Sequence, residues 1–460
     1  MIKQDIIDRI ISDVSIEDVA RDEGISFTKE HGKRKWASCP FHNEKTASFY
    51  VDTATNCWRC FGSCRSGGNV ISLYRKLKNG LPFPIACKEL AKKYLNEDIE
   101  DDYKPSKEDE EKQKEQEAMR IVLTYAQSYF EECMSAVNPA SNKARDAVRK
   151  RWGADSIATF GIGYAPRDGF IEWAKRKQLD LDILEQVGLI GNGERGKFAM
   201  LRDRYTIPIY DKMSRVIGFT ARTLSEREDI CKYLNLKNSP IYHKNTSVFG
   251  INYAQKEARL KDKFYLVEGA PDVIRLQSIG ILNTVASLGG AWTENQLKQL
   301  YKLSHKVTFI PDADTQKPGN EFPAGTANVF ANGRAALQAG FTVNVREIPV
   351  DYPPAKKEDP DSWIVDIGHF QMMKEEEFIF WYCRRRYWPA FEDIDEFTTE
   401  DRLQAIADIC GLLMLIKDED LRSSYLTSLI STYKHSREWK DTLKRAKEAE
   451  LSEKQERERK

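Results

Sequence analysis

The sequence contains no run of about 18 apolar residues, the length that a membrane-spanning helix requires. Its first residues, 1–5, lack the basic-then-apolar order of a secretory signal. We therefore expect a cytoplasmic protein that makes no membrane contact.

The sequence also has no excess of charge, because 71 basic side chains balance 71 acidic ones. This balance argues against a simple polybasic nucleic-acid binder, so any binding to nucleic acid must depend on local clusters of basic residues. A hydrophobic content of 41% excludes wholesale disorder. A length of 460 residues excludes one small binding module and favours about two to four domains.

The composition and periodicity change along the chain and predict a multi-domain α/β protein. Alternating apolar strands and helices between residues 264 and 348 predict a doubly wound parallel sheet. Thr398 and Asp401 resemble a capping box before a helical segment. The expected divisions are a zinc ribbon unit at 1–100, a polar linker at 101–117, a mixed α+β basic lobe at 118–260, the sheet at 261–369, a helical subdomain at 370–445 and a charged tail at 446–460. The polar linker suggests that the first unit is tethered to the lobe and not docked on it.

Cysteine is too scarce for a disulfide scaffold, with nine in the chain, but four of the nine lie between Cys39 and Cys64. Cys39-Pro-Phe-His42 supplies one pair of ligands, and Cys60 with Cys64 supplies a second pair after seventeen intervening residues. This arrangement predicts a closed tetrahedral site for structural Zn²⁺. Cys57 is a rival ligand that could replace Cys60 or Cys64.

An aromatic residue and a cation lie side by side in the second half of this unit, at Trp58 and Arg59. An exposed aromatic ring beside a basic group is a surface on which single-stranded bases can stack. The alternative is that Trp58 and Phe61 pack a small ribbon that has little core of its own. The sequence leaves both interpretations open.

Acidic residues follow two of the predicted strands at the point where each strand ends. Glu268 comes after residues 264–267, and Asp312 and Asp314 come after residues 307–310. Ligands bind at the carboxyl ends of parallel strands, and crowded carboxylates need a hard cation between them, so we expect Mg²⁺ here. The group at residues 358–361 could complete the set, whereas Asp272 could instead cap the next helix.

Basic residues interleaved with aromatic residues precede the sheet. They are Arg202, Arg204, Lys212, Arg215, Arg222, Lys232 and Lys244. Such a lobe could hold a triphosphate and a template backbone beside a metal edge, or its side chains could simply be solvated.

Several of these motifs together resemble the DnaG-type bacterial and phage primases. Cys39-Pro-Phe-His42, residues 44–49 and Gly67-Gly68-Asn69 look like the zinc-binding domain of that family. Residues 160–166, 204–211, 216–222 and 232–235 resemble its polymerase N-terminal lobe. Glu268-Gly269-x-x-Asp272, Asp312-x-Asp314 and residues 358–361 are similar to the Toprim motifs that primases share with topoisomerases.

The resemblance implies a DNA-dependent RNA polymerase that makes short RNA primers de novo on single-stranded DNA from ribonucleoside triphosphates. It implies that Glu268, Asp312 and Asp314 are catalytic acids that hold Mg²⁺ or Mn²⁺. Nucleotide or template contacts are implied for Arg151, with Lys150 as its rival, and for Arg204, Arg222, Lys232, Lys244, Asp272, Asp359 and Asp361. In the zinc unit, template contacts are expected at Lys45, Trp58 and Arg59.

The chain departs from the family pattern in two places. The second zinc pair carries one extra residue, and an insertion at residues 315–323 follows Asp314. A replicative helicase and a second primase copy acting in trans are possible partners that the sequence leaves open. The rival functions are a Toprim nuclease or topoisomerase-like enzyme, and a non-catalytic single-stranded DNA-binding protein of a mobile element.

Overall fold

The computed structural model describes residues 2–42, 44, 47–62, 64, 66–78, 81–99, 107–194, 196–387 and 398–459. The chain divides into two compact units. The first comprises Met1–Lys261 and Val273–Leu288, and the second comprises Asp262–Asp272 and Gly289–Lys460. No helix among the described residues combines the length and the apolar character needed to cross a bilayer.

The N-terminal module of the first unit is an antiparallel sheet packed against helices. Its elements are α1 (Gln4–Asp13), α2 (Ile16–Asp22), β1 (Lys29–His31), β2 (Arg34–Ala37), β3 (Phe49–Asp52), β4 (Cys57–Cys60), β5 (Gly67–Asn69), α3 (Val70–Leu77), α4 (Phe83–Leu90) and a π-helical turn at Ala91–Leu95. The strands lie in the order β1-β2-β3-β4-β5. The module has its own core, in which Phe49, Trp58 and Cys60 pack with Ile10 and Val19.

A buried asparagine fixes the helices of this module to the turn before β4. The Asn56 amide nitrogen donates to the carbonyl oxygens of Ile11 and Val14, each at 2.8 Å, and its oxygen accepts from the Ile16 amide at 2.9 Å. All of the hydrogen-bonding groups concerned are buried, so each of these bonds also avoids the cost of an unpaired polar group.

The lobe of the first unit is built on a second antiparallel sheet. Its elements are α5 (Lys107–Ser135), α6 (Pro139–Trp152), α7 (Asp155–Phe160), β6 (Gly163–Ala165), α8 (Phe170–Arg176), α9 (Leu181–Gln186), β7 (Ile190–Gly193), β8 (Gly196–Ala199), β9 (Arg204–Tyr210), β10 (Val216–Thr223), β11 (Tyr233–Asn235) and α10 (Ile251–Lys261). The sheet order is β11-β10-β9-β6, and every residue of β9 is buried.

The rest of the chain alternates strands with helices and then becomes helical. The elements are β12 (Phe264–Val267), α11 (Ala270–Ser278), β13 (Thr284–Ala286), α12 (Glu294–Tyr301), β14 (Lys306–Phe309), α13 (Ala324–Ala339), β15 (Thr342–Arg346), α14 (Pro360–Trp363), α15 (Ile367–Met372), β16 (Glu375–Glu377), α16 (Phe378–Tyr387), α17 (Thr399–Met414), α18 (Glu419–Tyr433) and α19 (Ser436–Arg459). In the second unit β12, β14 and β15 are parallel neighbours, and β16 runs antiparallel to β15. The predicted multi-domain α/β class and its parallel sheet are confirmed.

Helices α13, α16 and α17 of the second unit meet at one carboxylate. Asp408 accepts hydrogen bonds from Arg334 at 2.5 Å and from the hydroxyls of Tyr382 and Tyr387, each at 2.7 Å. These charge-assisted bonds fix the first helix of the C-terminal region against the sheet domain.

The N-terminal module contacts its own lobe, so the prediction of a tethered, undocked module is wrong. Arg59 on β4 forms an ion pair with Glu131 on α5. Lys256 donates to the Thr53 carbonyl at 2.7 Å, and the Cys57 thiol lies 3.4 Å from the Ser214 hydroxyl. The sequence of the polar linker did not reveal this interface because its partners come from α5, from the turn between β9 and β10 and from α10, far along the chain.

Candidate metal centres and catalytic edge

Three cysteines and one histidine surround one small volume in the N-terminal module. One ligand atom from each of Cys39, His42, Cys60 and Cys64 lies within 4.8 Å of all the others. The Cys39 and Cys64 sulfurs are 3.6 Å apart, close to the edge of about 3.8 Å expected for a tetrahedron with Zn–S bonds of about 2.3 Å. The four predicted ligands are thus brought together in a form that fits structural zinc.

A carboxylate fixes the orientation of the histidine ring in this cluster. His42 Nε2 lies 2.9 Å from Glu44 Oε2, which leaves Nδ1 facing the thiols, 4.0 Å from the Cys60 sulfur. Glu44 also accepts from the Cys39 amide at 2.7 Å and from the Ser48 amide at 3.0 Å. Burial alone would raise the pKa of Glu44, but hydrogen bonds from Ser48, Cys39 and His42 outweigh burial and lower it to about 2.

One thiol of the cluster, that of Cys64, favours the thiolate form, whereas the pKa values of Cys39 and Cys60 are raised. A hydrogen bond from Cys60 lowers the pKa of Cys64 to about 4 and raises that of Cys60 itself. Gly62 lies close to the Nε2 edge of the His42 ring, where a Cβ would collide with the imidazole and with the Ser48 hydroxyl. The Cys64 thiolate is suited to bind a metal cation. The short distances around Gly62 leave no room for a side chain at that position.

Replacing Glu44 should weaken zinc binding without removing a ligand. We expect Glu44→Gln to lower the zinc affinity by roughly 10- to 100-fold, because such partners hold the imidazole in its ligating orientation. Competition with a chromophoric chelator measures the change. Glu30→Gln, an exposed carboxylate of the same sheet that pairs with Lys35, is the matched control. Equal zinc affinities for the two variants would contradict this role of Glu44.

The side chains of Cys57 and Trp58 on β4 are not placed as the sequence predicts. Side chains alternate across a strand, so Trp58 and Cys60 face the core while Cys57 and Arg59 face the lobe. The Cys57 thiol contacts the Thr55 carbonyl and the Ser214 hydroxyl, and it lies outside the zinc cluster. Trp58 is 3% exposed, and its indole donates to the Ser72 hydroxyl at 3.0 Å. The predicted base-stacking surface is therefore wrong at Trp58, and the packing alternative is correct.

The Arg59 side chain contacts residues of the lobe. Its side chain is 15% exposed, pairs with Glu131 and donates to the Tyr210 hydroxyl at 3.3 Å. A template contact at Arg59 would have to replace this ion pair, and it stays a prediction. Phe61, by contrast, is exposed, and its ring stacks on Tyr50. Lys45, the third predicted template contact, lies outside the described residues.

The second candidate site is the edge of the parallel sheet where β12 and β14 end. Glu268 follows β12, and Asp312 and Asp314 follow β14. The Glu268 carboxylate accepts from the Asn328 amide at 3.1 Å, and Asp314 accepts from the Gly325 amide at 3.0 Å. A side chain at position 325 would collide with the Asp312 carbonyl, so glycine lets the start of α13 approach this edge.

The three acids repel one another electrostatically. Burial and then the charge of Glu268 raise the pKa of Asp312 to about 7. Burial also raises the pKa of Glu268, to which Asp314 adds repulsion. One carboxylate oxygen of Asp312 is buried without a hydrogen-bond partner among the described residues. An oxygen-rich, mutually repulsive cluster with a free buried acceptor fits a hard divalent cation.

A neighbouring group of acids is used to organise the backbone. Asp272, which is 6% exposed, accepts from the amides of Gly269 at 3.0 Å and Asp361 at 3.1 Å. The bond to Gly269 ties down the residue before α11, so it resembles the capping role offered as an alternative for Asp272. Asp359 caps α14 by accepting from the Ser362 amide at 2.7 Å, and Asp361 is buried. Contacts of these three residues with a nucleotide stay predictions.

Comparisons with known proteins match this arrangement in the same order along the chain. The family model described as CHC2 zinc finger matches residues 2–107, the DNA primase catalytic core, N-terminal domain, matches residues 129–255, and Toprim-like matches residues 265–364. A DNA primase of Clostridium acetobutylicum is 31% identical over 417 residues, covering 90% of this chain. The chain belongs to the DnaG-type primase family. It spans 65% of the length of the Clostridium relative.

Solved structures of the family share this fold. The zinc-binding and RNA polymerase domains of the Aquifex aeolicus primase have 26% identity and a TM-score of 0.61, and the match covers 94% of this chain and 97% of that one. A DnaG primase catalytic domain bound to single-stranded DNA has 25% identity and a TM-score of 0.56, covering 69% of this chain and 96% of that one.

The basic residues implied by the family differ in burial, and four of the five lie at or near the surface of the lobe. Lys232 and Lys244 are exposed, and Arg222 lies over the Tyr233 ring at 5.9 Å. Arg151 donates to the hydroxyls of Tyr233 at 2.8 Å and Tyr205 at 3.3 Å. Lys150, its rival, is exposed on the adjacent position of α6.

Arg204 differs from these residues because it begins the fully buried strand β9. It is 7% exposed and donates to the carbonyl oxygens of Ala221 and Lys232, each at 3.4 Å. The predicted nucleotide contact at Arg204 is therefore wrong for this conformation. By its contact with the Lys232 carbonyl, Arg204 holds the backbone that carries Lys232.

The insertion at residues 315–323 packs against α13 and α16 of the second unit, to which it also belongs. The Gln316 side chain donates to the carbonyl oxygens of Asn320 at 3.0 Å and Glu321 at 3.1 Å. At its end, the Phe322 ring packs edge-on against Phe330 with centroids 5.0 Å apart, and Arg386 lies over both rings. The insertion is thus fastened at its C-terminal end to α13 and α16.

Three residues of the two sites were not found from the sequence as functional. Glu44 belongs to a motif that resembles the family but carries no predicted role, and Lys357 adjoins the acidic group at residues 358–361. Lys357 contacts Asp312 at 2.9 Å and Asp314 at 2.7 Å. Asn328 gave no signal, because it lies on α13, sixty positions from its partner Glu268.

Proposed function

We propose that this chain is a DNA primase that joins ribonucleotides into short primers on single-stranded DNA. The observation that carries the proposal is the cluster of Glu268, Asp312 and Asp314 with its unpartnered buried oxygen on Asp312. The family membership and the zinc-type cluster of the N-terminal module support it. The relative solved with single-stranded DNA supports that class of template.

Glu268, Asp312 and Asp314 would hold Mg²⁺ or Mn²⁺. A divalent cation bound there supplies charge neutralisation for the phosphates and alignment of the attacking 3′ oxygen. Asn328 and the Gly325 amide keep the carboxylates of Glu268 and Asp314 in place, so the acids need little rearrangement when they bind. No side chain is required as a nucleophile, which distinguishes this chemistry from that of a topoisomerase.

The lobe would supply the cations that hold template and triphosphate. Lys232 and Lys244 are exposed and can reach phosphate oxygens. Arg222 and Arg151 both contact the side chain of Tyr233 on β11. Because the chain has no net charge, we expect affinity for DNA to be modest and to fall with added salt. The zinc module would read the template from its docked position on the lobe.

We also infer the setting in which the enzyme works. A cytoplasmic location and a replicative helicase as a partner are consistent with primer synthesis. The contacts of the zinc module with its own lobe favour action in cis over action by a second copy. Crosslinking of helicase to primase, and mixing of zinc-site and Asp312 variants for complementation, test these two partners.

The test of the proposed function is an incubation of the zinc-loaded chain with single-stranded template, four ribonucleoside triphosphates and Mg²⁺. We expect alkali-sensitive oligomers that are absent with Asp312→Ala. Shortened template would instead indicate a Toprim nuclease. Retarded template without a new product would indicate a non-catalytic binder, and either outcome would overturn the proposal.

A further inference from the structure

A lysine side chain lies across the two aspartates of the catalytic edge. The Lys357 ammonium is 2.9 Å from Asp312 Oδ2 and 2.7 Å from Asp314 Oδ1. Its own side chain is 53% exposed, whereas those of Asp312 and Asp314 are 11% and 16% exposed. The ammonium therefore enters from the solvent side and covers the carboxylates that would bind a metal ion.

The backbone holds Lys357 in this position. Ala313, between the two aspartates, exchanges two hydrogen bonds with Glu358, the residue after Lys357, at 2.8 and 3.0 Å. This bridge fixes the stem of Lys357 beside both acids and leaves only its flexible side chain free to move. An ammonium on a four-carbon stem is well suited to such a role, because it can leave the carboxylates without any change in the backbone.

We propose that Lys357 is a built-in counter-ion that competes with the divalent cation for Asp312 and Asp314. The inference rests on the proposed catalytic edge. Without metal, the ammonium offsets the repulsion between the two carboxylates. A divalent cation placed between them repels the ammonium and displaces it, so Lys357 sets the metal concentration at which the edge becomes loaded.

Lys356 provides a matched control. It is the preceding residue, carries the same charge and is 84% exposed, but its ammonium contacts Glu358 at 3.2 Å. Lys356→Met and Lys357→Met remove the same net charge from the same loop. A difference between them therefore reports the contact with Asp312 and Asp314 and not the general field of the loop.

The experiment measures binding of Mn²⁺ to the zinc-loaded full chain, without template or nucleotide, by the electron paramagnetic resonance signal of free Mn²⁺. We expect Lys357→Met to bind Mn²⁺ roughly three- to thirty-fold more tightly than the unmodified chain, in keeping with the modest worth of a half-exposed ion pair. Lys356→Met should stay within about twofold. Lys357→Arg, which keeps the charge, should stay close to the unmodified chain.

The outcomes separate this inference from the proposed function. Equal or weaker Mn²⁺ binding by Lys357→Met, with Asp312→Asn abolishing that binding, would overturn the counter-ion role and leave the catalytic edge intact. Absence of Asp312-dependent binding in every variant would overturn both. Thermal unfolding of each variant checks that the fold is retained, and Lys357→Arg gives an independent result if the methionine variant unfolds.

Discussion

Glu268→Gln should reduce primer synthesis by at least about 1,000-fold, equivalent to roughly 4 kcal/mol of lost transition-state stabilisation. The substitution removes one of the three carboxyl groups of the edge but preserves the size of the side chain. Its amide oxygen can still accept the hydrogen bond that Asn328 now donates to Glu268. The fold should therefore survive while the chemistry does not. The measurement is the rate of primer formation at saturating nucleotide.

Two controls accompany this variant. Glu294→Gln removes a carboxylate of the second unit that pairs with Lys298 on the surface, and it should leave synthesis unchanged. The affinity of Glu268→Gln for single-stranded template should also stay within a few fold of the unmodified chain. Retention of more than about a tenth of the synthesis rate would remove Glu268 from the catalytic set.

Cys60→Ser should release the zinc and disorder the sheet of the N-terminal module. Structural zinc contributes on the order of 10 kcal/mol of binding free energy, so loss of one thiolate should lower the zinc affinity by at least about 1,000-fold. De novo initiation should fall much more than extension of a primer already annealed to the template. Zinc content per chain, limited proteolysis of the module and the two activity assays measure these effects.

Cys57→Ser is the matched control for the zinc variant. Cys57 lies three residues away on the same strand, but its thiol contacts Thr55 and Ser214 and not the cluster. This variant should retain a full complement of zinc. If Cys57→Ser lost zinc while Cys60→Ser kept it, the ligand set described above would be wrong.

The parts of the structure that the sequence predicted well depend on short-range rules. The capping box of Thr398 and Asp401 is confirmed, because it needs only the backbone of one helical turn. The parallel sheet is confirmed, and its geometry brings Glu268 and Asp312 to one edge from positions 44 residues apart. Cys60 and Cys64 lie in the zinc-type cluster with the first pair of ligands.

The errors come from burial, which depends on residues far along the chain. The exposure assigned to Trp58 conflicts with the alternation of β4, since a strand that points Cys60 inward also points Trp58 inward. That signal was available in the sequence. The partners of Arg59 and Arg204 were not, because Glu131 and Ala221 are joined to them only through the tertiary fold.

The anchored insertion has a consequence for any molecule that approaches the catalytic edge from that side. Residues 316–321 are exposed, yet Gln316 closes their turn and Phe322 fastens its exit to Phe330. A loop closed in this way has already lost much of its conformational entropy on folding. A protein or nucleic acid that binds there would thus contact a preorganised surface. Its affinity would not be reduced by the entropic cost of ordering this loop.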